Sequence, residues 1–236
     1  MAALRLATAA AVVFPLVVHL LVAPSRGHGP ALMPLATVGA AALITSLSTP
    51  GDLPPGMARD EQVAVAVVDG FWKRHFAEYF GRKYHSPLVV GDYLGGRGPS
   101  CDGRRPLSMN AFYCKPQDFL AWDPRLMAAG YGKIGRAWVY LIIAHEWGHT
   151  IQARVNRRLV SVASELQADC LAGAELAGAQ RDGLLVGEPG DADQIALALT
   201  AVADDYPWTK KRDHGDATQR ITAYRQGFLG GVPACI

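Results

Sequence analysis

The chain has 236 residues, 50% of them hydrophobic, and a formal net charge of +2. This length predicts one medium-sized domain with a shorter additional segment rather than two full domains. Lysine and arginine form no concentrated block, which excludes the basic surface that a nucleic-acid-binding protein needs.

Residues 1–47 form a hydrophobic leader, expected to act as a signal or membrane-anchor region. It contains two apolar runs, 6–23 and 31–47, separated by a short hinge. At about 17 to 18 residues, each run is at the lower limit for spanning a bilayer. Three interpretations stay open: a single uncleaved anchor, a two-helix hairpin, and a cleaved signal peptide followed by a buried segment. An attachment to the membrane through this leader is favoured.

The next segment, 48–60, is rich in proline and glycine and predicts a linker, so the main domain is expected over 61–236. Asp60 is expected to cap a helix that runs to about Phe80. Three short strands are predicted after it, at 88–90, 111–113 and 119–122.

The four cysteines are an even number, which together with the leader favours disulfides and an oxidising, extracytoplasmic location. Cys101 and Cys114 flank a loop-like stretch that a disulfide between them would close. A bridge from Cys170 to Cys235 would hold the C-terminal tail. The alternative is four unpaired thiols in a cytosolic protein. Because no C-x-x-C pair is present, a structural zinc knuckle is not expected.

The second half of the chain is dominated by helical patterns. Helices are predicted over residues 134–158, 162–180, 191–204 and 217–227, the third of them capped by Asp191. The fold class predicted from these elements is mainly α, that is α+β with a minor β element.

Residues 145–149 read His145-Glu146-Trp147-Gly148-His149 within the first of these helices. Two histidines four residues apart project from the same helix face, so both imidazoles can bind one tetrahedral metal ion. Glu146 is rotated by about 100° from the first ligand and can approach a zinc-bound water without binding the zinc itself. Zn²⁺ lowers the pKa of that water to near 7, and the carboxylate takes its proton. The motif therefore predicts a zinc-dependent hydrolase with Glu146 as general base.

A catalytic zinc keeps three protein ligands, so a third has to come from elsewhere. The H-x-x-G-x-x-H extension is absent, because Gln152 and Val155 occupy the positions of its glycine and histidine. Glu165 and Asp169 lie four apart on the next helix and share a face. If that helix packs antiparallel to the first, Glu165 can bind the zinc while Asp169 accepts a hydrogen bond from a ligand imidazole. Glu175, further along the helix, is an alternative ligand.

These two motifs, residues 145–152 and 165–170, resemble the putative neutral zinc metallopeptidase family of bacteria, and more broadly gluzincin-like peptidases, whose third ligand is a glutamate. Weaker matches to the family pattern are present before the two motifs at Phe112-Tyr113-Cys114 and after them at Asp204-Asp205, His214-Gly215, Gln219-Arg220 and Cys235. The resemblance runs from about residue 60 to the C-terminus. It implies a membrane-tethered bacterial enzyme with a compact, zincin-like helical domain.

One position departs from the family pattern, since Asp213 stands where the family usually has threonine. Our hypothesis is that His214 donates a hydrogen bond to the oxyanion of the transition state. The alternative is a solvent-exposed loop histidine between acidic neighbours.

The function predicted from the sequence is a zinc metallopeptidase that hydrolyses a protein or peptide substrate. It is expected at a bacterial membrane or secreted, with an extracytoplasmic catalytic domain. The alternative is a non-catalytic zinc-binding scaffold module of an envelope complex. The intact Glu146 argues against the scaffold, because a structural zinc site needs four ligands and no base. A protease with its active site inside the membrane is disfavoured by Arg154, Arg157 and Arg158 after the histidine helix.

Overall fold

The computed structural model describes residues 53–155, 159, 161–204 and 214–236. The leader at 1–47 and the first part of the linker lie outside the described residues, as do Arg157, Arg158, Asp205 and Asp213. In the part of the chain that is described, no helix is both long and apolar enough to cross a membrane.

The described residues contain six α-helices and one small sheet, which confirms the prediction of a mainly α fold with a minor β element. In chain order the elements are α1 (Met57–Phe80), β1 (Leu88–Asp92), β2 (Ala111–Cys114), β3 (Phe119–Trp122), α2 (Pro124–Lys133), α3 (Ala137–Arg154), α4 (Val162–Arg181), α5 (Asp191–Ala201) and α6 (Ala217–Gly230). Short 3₁₀ turns lie at Gly95–Arg97 and Val232–Cys235.

Helix α1 begins at Met57, inside the segment predicted as a linker. Gly56 precedes it with a φ of 88°, a left-handed conformation that glycine adopts without strain. The prediction that Asp60 caps the helix is therefore wrong, since Asp60 lies within the first turn. Its carboxylate instead accepts hydrogen bonds from the hydroxyls of Tyr131 (2.7 Å) and Tyr140 (3.3 Å). Asp60 thus ties α1 to α2 and α3.

Helix α2 was not predicted, although its start carries a clear signal. The carboxylate of Asp123 accepts a hydrogen bond from the backbone N–H of Arg125 at 3.0 Å and caps the helix. Pro124 fits the first position because its missing N–H needs no partner there. Gly135, with a φ of 125°, then turns the chain, so α3 starts at Ala137, later than predicted.

The last two helices also differ from the prediction at their ends. Gly190, not Asp191, precedes α5, and the Asp191 carboxylate accepts a hydrogen bond from the backbone N–H of Glu188 at 2.8 Å. Helix α5 ends at Ala201, earlier than predicted. Helix α6 starts with a capping box between Asp216 and Gln219 and continues past the predicted end.

The sheet has the strand order β1-β3-β2, with β3 parallel to β1 and antiparallel to β2. In the β2–β3 pair, Ala111 lies opposite Trp122 and Cys114 opposite Phe119. Strand β2 is therefore at one edge of the sheet, and that edge lies against α3. The end of β2 is attached to the preceding loop by a disulfide between Cys114 and Cys101.

Helix α4 is the central helix, because its residues from Ala168 to Ala179 are all buried. Small residues let its neighbours approach closely. A Cβ added to Gly148 of α3 would lie 2.9 Å from the Cα of Ala168, and one added to Gly227 of α6 would lie 1.7 Å from the carbonyl oxygen of Cys170. A second disulfide, Cys170–Cys235, fastens the C-terminal turn to α4.

We predict that Gly227→Ala destabilises the domain by roughly 3 kcal/mol, because the new methyl group overlaps the α4 backbone, which cannot move aside as a flexible side chain can. The matched control is Gly132→Ala in helix α2, where an added Cβ meets nothing within 4 Å. That change should be neutral or stabilise by about 0.5–1 kcal/mol. Urea unfolding midpoints of the two variants give the comparison, and equal stabilities would refute the close contact.

Candidate metal centre

Three potential metal ligands converge where α3 and α4 cross. His145 Nε2 lies 3.2 Å from Glu165 Oε2, and His149 Nε2 lies 3.4 Å from Glu165 Oε1. The ligand atoms of the three residues all lie within 4.8 Å of one another. Two imidazole nitrogens and one carboxylate oxygen are the donor set of a catalytic zinc site. The residues therefore fit Zn²⁺, and the structure brings together the three side chains that the sequence predicted as ligands.

The second nitrogen of each imidazole is engaged on the side away from Glu165. His145 Nδ1 lies 2.8 Å from Asp169 Oδ1, and His149 Nδ1 lies 2.9 Å from Gln152 Oε1. An Nδ1–H that donates to an oxygen leaves the Nε2 lone pair free for a metal. Gln152 is fixed in turn by donating to the Ser164 carbonyl at 2.7 Å. Asp169 lies where the sequence predicted it, whereas the contact of Gln152 was not predicted.

Arg220 of α6 also holds the Asp169 carboxylate. Its Nε donates to Asp169 Oδ2 at 2.8 Å and its Nη2 to Oδ1 at 2.9 Å, while Nη1 donates to the Val202 carbonyl at 2.6 Å. Asp169 is fully buried, and a buried carboxylate without a charged partner is costly. Burial raises the pKa of Asp169, but Arg220 and His145 outweigh it and lower the pKa below its usual value.

The role of Arg220 was missed in the sequence, where it appeared only as part of a pattern match. A signal was nevertheless available in the periodicity of α6. The buried residues of this helix are Arg220, Ala223, Tyr224 and Gly227. Arg220 thus occupies the buried stripe of the helix, and a buried arginine needs an anionic partner.

Glu146 lies beside the three ligands and lines the same cleft, but it is not one of them. Its Oε2 accepts a hydrogen bond from the backbone N–H of Tyr113 in β2 at 2.9 Å. This contact involves a main-chain group, so no side-chain motif could have predicted it. It places the carboxylate between α3 and the edge of the sheet.

His214 also reaches the metal centre. Its Nδ1 lies 3.1 Å from Glu165 Oε2, although 43% of its side chain remains exposed. The backbone N–H groups of His214 and Gly215 donate to the two carboxylate oxygens of Asp204, at 3.1 Å and 2.9 Å. The observed partner of His214 is therefore a predicted metal ligand rather than solvent alone.

The electrostatics of the centre favour a cation. Burial lowers the pKa of His145, but the carboxylates of Asp169 and Glu165 outweigh it and raise the pKa to about 10. Burial likewise raises the pKa of Glu165, yet hydrogen bonds from His145, His149 and His214 bring it far below its usual value. The carboxylates therefore stay ionised, and a divalent cation can replace the protons on the imidazoles.

Glu175, the alternative ligand considered from the sequence, is not part of this group. Its carboxylate accepts a hydrogen bond from the indole N–H of Trp72 in α1 and is fully buried. Burial raises its pKa well above the usual value and so favours the uncharged form of the group. Glu175 was the alternative to Glu165, and its contact with Trp72 directs its side chain towards α1 rather than towards the two histidines of α3.

Comparisons with known proteins identify a family for this chain. The family described as "Putative neutral zinc metallopeptidase" matches residues 55–236. Two relatives named "Uncharacterized protein YpfJ", from Escherichia coli strain K12 and from Escherichia coli O6:H1, are each 29% identical over 206 residues, which covers 75% of this chain and 69% of the relative. No solved structure matches the chain significantly.

We predict that Asp169→Asn weakens zinc binding by about 10- to 100-fold, because the amide no longer supplies a full negative charge to His145 Nδ1–H. The matched control is Asp182→Asn. Asp182 also contacts a histidine, with Oδ2 2.8 Å from His75 Nε2, but does so outside the metal centre. Competition with a chromophoric chelator measures both affinities. A similar loss in the two variants would show that Asp169 does not act through the metal ligand.

Proposed function

Because the chain belongs to the putative neutral zinc metallopeptidase family, we propose that it is a zinc-dependent peptidase in which Glu146 is the general base. The observation that carries the proposal is the position of Glu146. Its carboxylate lies next to the His145, His149 and Glu165 trio and faces the cleft. Residues in this arrangement can bind the metal and transfer a proton at the same place.

When bound, Zn²⁺ supplies Lewis-acid chemistry and lowers the pKa of a coordinated water to about 7. The protein contributes the proton transfers. Glu146 would accept the proton of the attacking water and then donate it to the departing amine, a role that suits a carboxylate lining the cleft beside the metal ligands. The N–H of Tyr113, which donates to Glu146 Oε2, orients the carboxylate for this step.

The edge of β2 supports a peptide as substrate. The cleft has a volume of about 520 Å³ and is lined on one side by residues 110–113. Among the described strands β2 pairs with β3 alone, so alternate residues direct backbone groups into the cleft, where the N–H of Tyr113 already donates to Glu146. An extended peptide can add to such an edge as a further strand. Hydrogen bonds to the main chain would hold the scissile bond over the metal centre.

His214 is assigned in this proposal to the oxyanion of the transition state. With Nδ1 directed at Glu165, its Nε2 is the ring nitrogen on the far side, and the residue lines the cleft. A donor at this position strengthens its hydrogen bond as negative charge develops on the carbonyl oxygen. The backbone contacts with Asp204 support a fixed placement of the ring.

The competing function is a zinc-binding scaffold without catalysis. Structural zinc sites are closed by four protein ligands, whereas the cluster found among the described residues has three. The open cleft and the placement of Glu146 also favour the enzyme. Catalysis is therefore the proposal that the geometry supports best.

The proposal includes an extracytoplasmic location. The two disulfides support it, because such bonds persist mainly in oxidising compartments. Attachment to the membrane through residues 1–47 is part of the same proposal and rests on the two apolar runs in the sequence.

We predict that Glu146→Gln retains zinc and loses peptide cleavage, with kcat/KM lower by at least about a hundredfold. The amide preserves the shape of the side chain but cannot take up the proton. The matched control is Glu78→Gln, an exposed residue of α1 that does not line the cleft. Zinc content is measured by atomic absorption and cleavage with a broad peptide library. Bound zinc without cleavage by the unaltered protein would favour the scaffold.

We predict that His214→Ala lowers kcat/KM by about 10²- to 10³-fold when zinc is saturating, because a donor to the oxyanion is lost. Since His214 also contacts Glu165, zinc affinity has to be measured on the same preparation. A decrease in turnover that disappears at high zinc would assign His214 to metal binding. Unchanged turnover would remove it from catalysis.

A further inference from the structure

A second cavity lies among α3, α4, α5 and α6 and shares no lining residue with the metal cleft. Its volume is about 490 Å³, within the range of pockets that hold small molecules. Protein interiors leave few voids larger than a water molecule, so ordinary packing does not account for a cavity of this size. Its walls are mainly apolar and include Tyr140, Leu176, Ile195, Leu199, Ile221 and Tyr224.

The cavity and the cleft use different faces of the same helices. Tyr140 lines the cavity, and His145, five positions later, lies about 140° further around α3. On α6, Ile221 lines the cavity, whereas the preceding Arg220 reaches the metal centre through Asp169. A ligand in the cavity therefore does not touch the metal ligands, and its binding can be measured without reference to zinc or peptide cleavage.

The walls of the cavity are held by contacts of their own. Helix α5 is joined to the start of α3, because the side-chain oxygen of Gln194 accepts a hydrogen bond from the backbone N–H of Ala137 at 3.0 Å. On α6, the rings of Tyr224 and Phe228 stack with centroids 6.1 Å apart. The cavity opens to the surface beside Phe228 and Leu229, which are 38% and 77% exposed. It is thus preformed, so a ligand can enter with little rearrangement.

Two polar atoms in the wall have no hydrogen-bond partner among the described residues. They are Nε of Arg136 and Oδ1 of Asp191, both buried and 3.9 Å apart, which is too long for a hydrogen bond. The other side of each group is engaged by Glu188: its carboxylate accepts from Arg136 Nη1, and its backbone N–H donates to Asp191 Oδ2 at 2.8 Å. One donor and one acceptor therefore remain at the cavity wall, where an unmet polar atom is costly.

The separation of these two atoms selects the head group that fits. A single oxygen can lie about 2.8 Å from both of them, since the sum of two such distances exceeds their separation. A hydroxyl accepts from the Arg136 N–H and donates to the Asp191 carboxylate with the same oxygen. A carboxylate would meet the like charge of Asp191, and an ammonium group would meet that of Arg136. Burial also raises the pKa of Asp191 above its usual value, in spite of Arg136, as expected for a carboxylate short of donors.

We propose that this cavity binds a neutral amphiphile, in which an aliphatic chain lies against the apolar walls and a hydroxyl group bridges Arg136 Nε and Asp191 Oδ1. Burial of the chain supplies most of the affinity, because the walls are largely apolar. The hydroxyl supplies selectivity, because both unmet polar atoms gain a partner at once. The site is separate from the metal centre and does not rest on the proposed peptidase function.

The first test compares n-octanol, octanoate and octylammonium, which share a chain and differ in the head group. Each is titrated into the full chain carrying isotope-labelled isoleucine methyl groups. The chemical shifts of Ile195 and Ile221 report binding at the cavity itself, and Ile151 of α3, which does not line it, is the internal reference. We expect n-octanol to bind at least about tenfold more tightly than either charged probe.

The second test removes the acceptor. Asp191→Ala should weaken n-octanol binding by about fivefold or more and lower the ratio of n-octanol to octanoate affinity, because octanoate then meets Arg136 without an opposing carboxylate. The matched control is Asp193→Ala, an exposed residue in the same first turn of α5 that does not line the cavity. It should leave both affinities unchanged. A purely structural role of Asp191 would weaken both probes alike.

The third test fills the cavity. Ala196 of α5 lines it, so Ala196→Trp should weaken n-octanol binding by at least about tenfold. Leu197→Trp is the matched control, since the neighbouring Leu197 is 57% exposed and is not part of the wall. Four results would each overturn the proposal: unmoved Ile195 and Ile221 signals, equal affinities for the three probes, full n-octanol affinity in Ala196→Trp, and an unchanged affinity ratio in Asp191→Ala.

Discussion

The close crossing of α3 and α4 is the constraint on which the metal centre depends. Gly148 has no side chain and Ala168 only a methyl group, so the two backbones come into contact one residue before His149 and one before Asp169. At this separation a single carboxylate, that of Glu165, reaches both histidines. A larger side chain at position 148 would push the helices apart and lengthen all of these contacts together.

The same closeness concentrates negative charge in the protein interior. Asp169 is fully buried, and its two oxygens are shared between His145 and Arg220. A buried ion pair contributes little net stability, because desolvation offsets most of the attraction. The ion pair instead fixes the orientation of the His145 imidazole and determines which of its nitrogens carries the proton. Helix α6 thereby acts on the metal centre without supplying a ligand, and its close contact with α4 at Gly227 sets the reach of Arg220.

The sequence was most informative where function depends on the periodicity of a helix. The spacing of His145 and His149 and that of Glu165 and Asp169 predicted which side chains share a face. The contribution of Arg220 depends on how α6 packs against α4, which spacing within one helix does not reveal. The hydrogen bond from Tyr113 to Glu146 comes from the main chain, so no side chain in the sequence indicates it. Capping by Asp60 was mispredicted because Gly56 starts α1 one turn earlier.

In the proposed function, chemistry belongs to the helical layer and substrate recognition to the sheet, and the two meet at Glu146. The helix α3 carries this carboxylate, but the edge strand β2 orients it through the N–H of Tyr113. The next residue along β2, Cys114, is bonded to Cys101. A disulfide that closes a loop of this size lowers the entropy of the unfolded chain and so stabilises the fold by about 3 kcal/mol. Because this bridge holds the strand that borders the cleft, the position of the proposed general base depends on a bond outside the metal centre. An oxidising environment then favours both the stability of the domain and the geometry of the Glu146 carboxylate, the proposed base.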